Sequence, residues 1–148
     1  MSTSGTGDDA TLPSVPLLIV DGANVVGSVP DGWWRDRRGA AERLRDALVA
    51  VAEQGLSRSN GAPEWAWTGP LEVVLVVEGA AGGTSGVPGV RVVSAPGSGD
   101  DRIVELTALA RAADPGRHCL VVTADRGLRA RVQELGAEVA GPRSVPRS

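Results

Sequence analysis

The sequence predicts an α/β fold, a mostly parallel sheet with helices on both faces in three α/β/α layers. Apolar runs of strand length, LLIV from residue 17, VVLVV from residue 73 and CLVV from residue 119, alternate with stretches of helical periodicity. Each run is continuously apolar, as expected of strands covered on both sides. At 148 residues the chain supports one core and is short for two.

Residues 1–14, rich in Ser, Gly and Thr, are expected to be a disordered leader, with the domain over 15–142 and a polar tail over 143–148. Residues 16–21 form the first strand, ending on Asp21, and a loop follows to about Gly32. A long helix is predicted over 34–54, because Ala40, Ala41, Leu44, Ala47, Leu48 and Val51 recur at three- and four-residue spacing and Gly55 supplies a stop. A loop leads to the strand at 71–77. The Gly-rich stretch 79–89 is expected to be mobile, and 90–94 to be a brief edge strand. Pro96-Gly97-Ser98-Gly99 leads tightly into a helix from about Asp100 to 113, and Asp114-Pro115-Gly116 turns the chain into a strand at 118–123. A short helix over 127–135 and a strand at 138–140 complete the alternation.

Composition removes several chemistries. All fifteen basic residues are arginine, so a P-loop lysine and Schiff-base catalysis are both excluded. The single histidine, His118, excludes a multi-His zinc site, and the lone Cys119 points to a reducing, cytoplasmic setting. The N-terminus has neither the basic start nor the apolar stretch of a signal peptide, and no apolar run approaches membrane-spanning length. With a net charge of −3, nucleic acid is not attracted by bulk charge, so binding would need local arginines or metal ions.

The most informative pattern is where the acids fall. Apolar runs end on Asp21, on Glu78 and on Asp125, all at the carboxyl edge of the predicted sheet, where open α/β sheets bind ligands. Asp100 and Asp101 open a helix on the same side, and Glu105 lies four residues beyond Asp101 on one helix face. Crowded carboxylates resist ionisation, and a divalent cation such as Mg²⁺ or Mn²⁺ resolves the conflict with oxygen ligands. Each acid also has a plainer explanation: Ser98, Asp100 and Asp125 as helix caps, Asp21 as a turn residue, Glu78 as a solvated strand end.

With these residues in view, the chain resembles the NYN domains of the PIN-like nuclease superfamily, on VDGANV at 20–25, GSGDDRIVEL at 97–106 and VVTADRGLR at 121–129. The resemblance implies a Rossmann-like α/β/α domain whose acidic metal site cleaves RNA. By position it implies Asp21 as the first-strand metal ligand with Asn24 as companion, and Asp125 as the acid after the fourth strand. It implies Asp101 as the helix-start acid, with Asp100 as fallback, and relatives often carry Asp where this chain has Glu78. Catalysis is then expected from Asp21, Asp101, Asp125 and Glu105, with RNA as the partner and no membrane association. The alternatives are a non-catalytic RNA-binding or ribosome-associated module on this fold, and a metal-dependent hydrolase of small nucleotides.

Arg126 and Arg38 are candidate phosphate contacts, against the plainer roles of ion pair and solvated helix face. Trp33 and Trp34 are able to stack on unpaired bases, though one is expected to serve as a lid over the helix start. Trp65 and Trp67 alternate as in a strand and are expected to pack. His118, at the far end of the strand that leads to Asp125, and Cys119 are expected to be structural.

Overall fold

In a computed structural model, residues 15–29 and 31–146 are described, and the expected leader, 1–14, lies outside them. Five strands, β1 (Leu17–Asp21), β2 (Glu72–Val77), β3 (Val90–Ser94), β4 (Cys119–Val122) and β5 (Glu138–Ala140), form one sheet in the order β3-β2-β1-β4-β5. Every pairing is parallel; Asp21 stands opposite Val76 on β2, and Val20 opposite Val122 on β4. The fold is thus α/β with β3 at an edge, as expected, and β1 stands at the centre.

Period-two alternation divides the strands between two cores. Leu18, Val20, Val73, Leu75, Val77, Leu120 and Val122 face one layer, and Leu17, Ile19, Val74, Val76, Cys119 and Val121 face the other. The first layer is built mainly by α2 (Arg37–Gln54), which inserts Ala41, Leu44, Leu48 and Val51. Leu44 and Leu48 are fully buried, and each contributes on the order of 1.5–3 kcal/mol by leaving water. The second layer is α3 (Gly99–Ala113) and α4 (Arg126–Glu134), through Ile103, Leu128 and Val132. At the stop of α2, Gly55 has φ +90°, and a Cβ there would meet the Trp67 carbonyl group, so only glycine ends the helix in this way.

The structure departs from the expected elements in several places. The loop after β1 contains a short helix, α1 (Gly22–Gly27), which Asp21 caps. The long helix does not begin at Trp34: Trp33–Arg35 is a separate 3-10 turn, and Asp36 restarts the chain by accepting the Gly39 N–H at 2.9 Å. The loop before β2 contains another 3-10 turn, Glu64–Ala66; Trp65 lies in it and Trp67 just after, and both pack on the core as expected. The Gly-rich stretch is tied down at three points. Arg38 donates to the Gly83 carbonyl, Arg45 to that of Ser85, and Ser94 to that of Gly82. The expected polar tail opens with the turn Pro142–Ser144, and Ser144 and Val145 are buried, Val145 within the core of the α2 layer.

Candidate functional site

The helix after β1 lies on one face of the sheet, and those around β4 lie on the other. Between these neighbouring strands the chain reverses its direction of travel, which leaves a crevice beyond their carboxyl ends. Asp21 ends β1 there, and is buried. One of its oxygens accepts the Asn24 N–H at 3.3 Å, and the other accepts the Thr123 hydroxyl at 2.9 Å. Thr123 is fully buried just past β4, and its hydroxyl also accepts the Asp125 N–H at 3.1 Å. The Asn24 side-chain oxygen reaches the same segment and accepts the Ala124 N–H at 2.8 Å. Two of these four bonds, Thr123 to Asp21 and Ala124 to Asn24, stitch the end of β1 to the segment after β4, and the other two brace each side.

Glu78, half-buried past the end of β2, accepts the Gly99 N–H at 2.7 Å and so ties that strand to the start of α3. Ser98 caps α3 by accepting the Asp100 N–H, which leaves the Asp100 carboxylate for the crevice. Asp125 caps α4 through the Leu128 N–H at 2.9 Å. The capping roles foreseen for Ser98 and Asp125 are both present, and they fix the acids at the crevice rather than remove them from it.

Electrostatics identify which acids share this space. Burial pushes the Asp21 carboxyl above its ordinary value, against the Thr123 and Asn24 hydrogen bonds, and the charges of Asp100 and Glu78 push the same way. Asp100 is raised too, by burial first, then by Asp125 and Glu78; Arg131 opposes this and Asp101 adds to it. Asp100 thus feels the charges of Glu78 and Asp125, and Asp21 feels that of Asp100. Among the described residues, no group of three or more His, Cys, Asp or Glu side chains is spaced to hold a metal ion.

Asp101, Glu105 and Arg38 are engaged in ion pairs. Asp101 is exposed and pairs with Arg131 on α4 at 3.1 Å. Glu105 is exposed and pairs with Arg102. These two share a helix face as expected, but it is the face that carries ion pairs. Arg38 is held by Gly83 and lies 3.6 Å from Glu42. Arg126, the first residue of α4, is exposed and makes no ion pair among the described residues. His118 stacks on Trp65 at 4.6 Å, just before β4 and at the opposite end of that strand from the crevice. Cys119 is buried, and burial pushes its thiol up to about 11, so it is inert as a nucleophile at neutral pH.

Thr123 is the residue that the sequence does not announce. Its only signal is a hydroxyl closing an apolar run two residues before an acid.

No family model matches the chain, and no curated protein matches it in sequence. Solved structures do. A single-residue mutant of Rae1 (YacP) from Bacillus subtilis superposes with a TM-score of 0.66 and 18% identity, over 88% of this chain and 72% of that one. This chain has the Rae1 fold. A second crystal structure of Rae1 from the same organism gives a TM-score of 0.55 and 24% identity, over 88% of this chain and 71% of the other. Among the described residues, no helix is long and apolar enough to cross a membrane.

Proposed function

We propose that this chain is a metal-dependent ribonuclease of the NYN type within the PIN-like superfamily, and that it hydrolyses RNA phosphodiesters at the β1/β4 crevice. One observation carries the reading: Asp21, Glu78, Asp100 and Asp125, from four separate segments, converge on one edge, where mutual repulsion adds to burial in raising Asp21 and Asp100. Gathering like charges costs stability, and a divalent cation offsets that cost. The donor set is all oxygen, which suits Mg²⁺ or Mn²⁺. Mg²⁺ commonly keeps several waters and takes only one or two carboxylates directly. Asp100 and Asp21 are the residues placed to hold it, with Asp125 and Glu78 acting through water. When bound, such an ion supplies positive charge to the scissile phosphate and makes a bound water nucleophilic at neutral pH.

The protein's own contribution is orientation. Thr123 and Asn24 fix the Asp21 carboxylate, the Gly99 N–H fixes Glu78, and exposed Arg126 stands beside Asp125 to meet a phosphate. Asp101 and Glu105 serve as surface ion pairs on α3. The test is calorimetric titration with Mn²⁺, followed by incubation with labelled RNA and with nucleoside triphosphates. It is run on the unaltered chain, on Asp100→Asn and on Asp101→Asn. Asp100→Asn should lose Mn²⁺ binding and RNA cleavage, while Asp101→Asn keeps both. The reverse pattern would move the site to the outer face of α3. Cleavage that survives a chelator would remove the metal from the proposal, and turnover of triphosphates alone would replace RNA as the substrate.

A further inference from the structure

Beside the acidic crevice lies a hollow of about 190 Å³. Its lining includes Ala23 and Val26 of α1, Val77 at the end of β2, the Trp33 indole and Arg37. Glu78 lines it too, so the hollow and the acid cluster share a carboxylate, and Gly22, also in its wall, directly follows Asp21.

We propose that this hollow is a subsite for one unpaired nucleobase of the RNA whose phosphate reaches the acids; the inference rests on the nuclease reading. The space is far below the roughly 300–1,000 Å³ of pockets for drug-sized ligands, and it suits a single flat ring system. Its chemistry is that of a base-binding site, with apolar and aromatic walls and a cation beside the ring. The Arg37 guanidinium lies over the Trp33 ring at 5.4 Å, so both planar groups are already ordered against each other before a base arrives. Glu78, whose carboxylate accepts the Gly99 N–H, also borders the hollow.

The two adjacent tryptophans diverge in this respect. Trp33 is half-buried in the wall, whereas Trp34 is 53% exposed and meets Trp33 edge-on at 6.2 Å. A base in a duplex is stacked and paired and cannot enter, so the site selects single-stranded or looped RNA.

The experiment measures anisotropy of a labelled oligoadenylate bound to the full chain in chelator, where no cleavage occurs. The same measurement is made on a blunt RNA duplex and on an abasic version of the oligonucleotide. The single strand should bind more tightly than either. Trp33→Leu should weaken it roughly ten- to a hundred-fold, the range that loss of one base–aromatic stack produces. Ala23→Leu fills the hollow from an exposed position on α1 and should weaken binding comparably while leaving the thermal midpoint unchanged, which separates lost binding from lost folding. Equal affinity for single strand, duplex and abasic strand would overturn the proposal, as would unchanged affinity in both variants. Base-dependent binding without any cleavage in Mn²⁺ would uphold the subsite and reject the nuclease. Cleavage of RNA at an affinity indifferent to Trp33 and Ala23 would do the opposite.

Discussion

Thr123→Val removes one buried oxygen and changes the shape of the side chain very little. The lost hydroxyl gives up two bonds, a donation to the Asp21 carboxylate at 2.9 Å and an acceptance from the Asp125 N–H at 3.1 Å. A hydrogen bond to a charged group contributes about 1.5–3 kcal/mol and a neutral one about 0.5–1.5 kcal/mol. With no cavity term, because valine fills the same space, the expected loss is roughly 2–4.5 kcal/mol. For a chain of this length each kcal/mol lowers the thermal midpoint by about 2–4 °C, so the fall should be on the order of 5–15 °C. Thr123→Ser keeps the hydroxyl and should recover most of it. Urea denaturation at neutral pH, analysed for equal slopes, reads the difference directly. The Asp21 carboxyl, deprived of a bond that lowers it, should also titrate higher still. A Val variant within about 0.5 kcal/mol of the parent, a change typical of surface positions, would show that the β1–β4 stitch carries no load and refute this account of the site.

Asp21→Asn should fold, bind no Mn²⁺ and gain thermal stability in chelator by about 0.5–2 kcal/mol, as is common when a strained site is relieved; differential scanning calorimetry checks the sign. The pH dependence follows from the raised carboxyls. Protonated Asp21 and Asp100 stabilise the fold below their ordinary value of 3.8, and that contribution is lost as pH rises through their higher folded values, a loss that the Asn variant should reduce. Gly22→Ala places a Cβ 2.6 Å from the Val76 carbonyl oxygen, a backbone atom that cannot swing away. A destabilisation of about 1–3 kcal/mol is expected by chemical denaturation, with Mn²⁺ affinity reduced because Asp21 is its neighbour.

Much of the architecture was legible because strands covered on both faces leave continuous apolar runs, and the runs at β1, β2 and β4 carry almost no competing signal. Helix α1 was not legible: six residues opened by glycine give no period, and what holds them is the Asp21 cap and contact with the sheet. Trp65 and Trp67 imitate strand alternation, but the first stacks on His118 and donates to Glu138 while the second donates to the Ala62 carbonyl. The partners of Trp65 come from across the fold, so local pattern cannot report them.

The choice between Asp100 and Asp101 shows the same limit at finer grain. Neighbours on a helix point about 100° apart, and the spacing to Glu105 selects a face without saying what that face meets. Here it meets Arg131 of α4 and solvent, while Asp100 feels the charges of Asp125 and Glu78.

The burial of Val145 has a practical corollary for anyone trimming this chain. The turn at Pro142–Ser144 touches α1, the segment that carries Asn24, and Val145 wedges into the packing beneath it. Cutting after residue 142, where the composition turns hydrophilic, would pull that wedge and let the Asn24 clasp on Ala124 work loose. Damage done at the carboxyl end would then surface as a functional defect, far along the sequence from the cut.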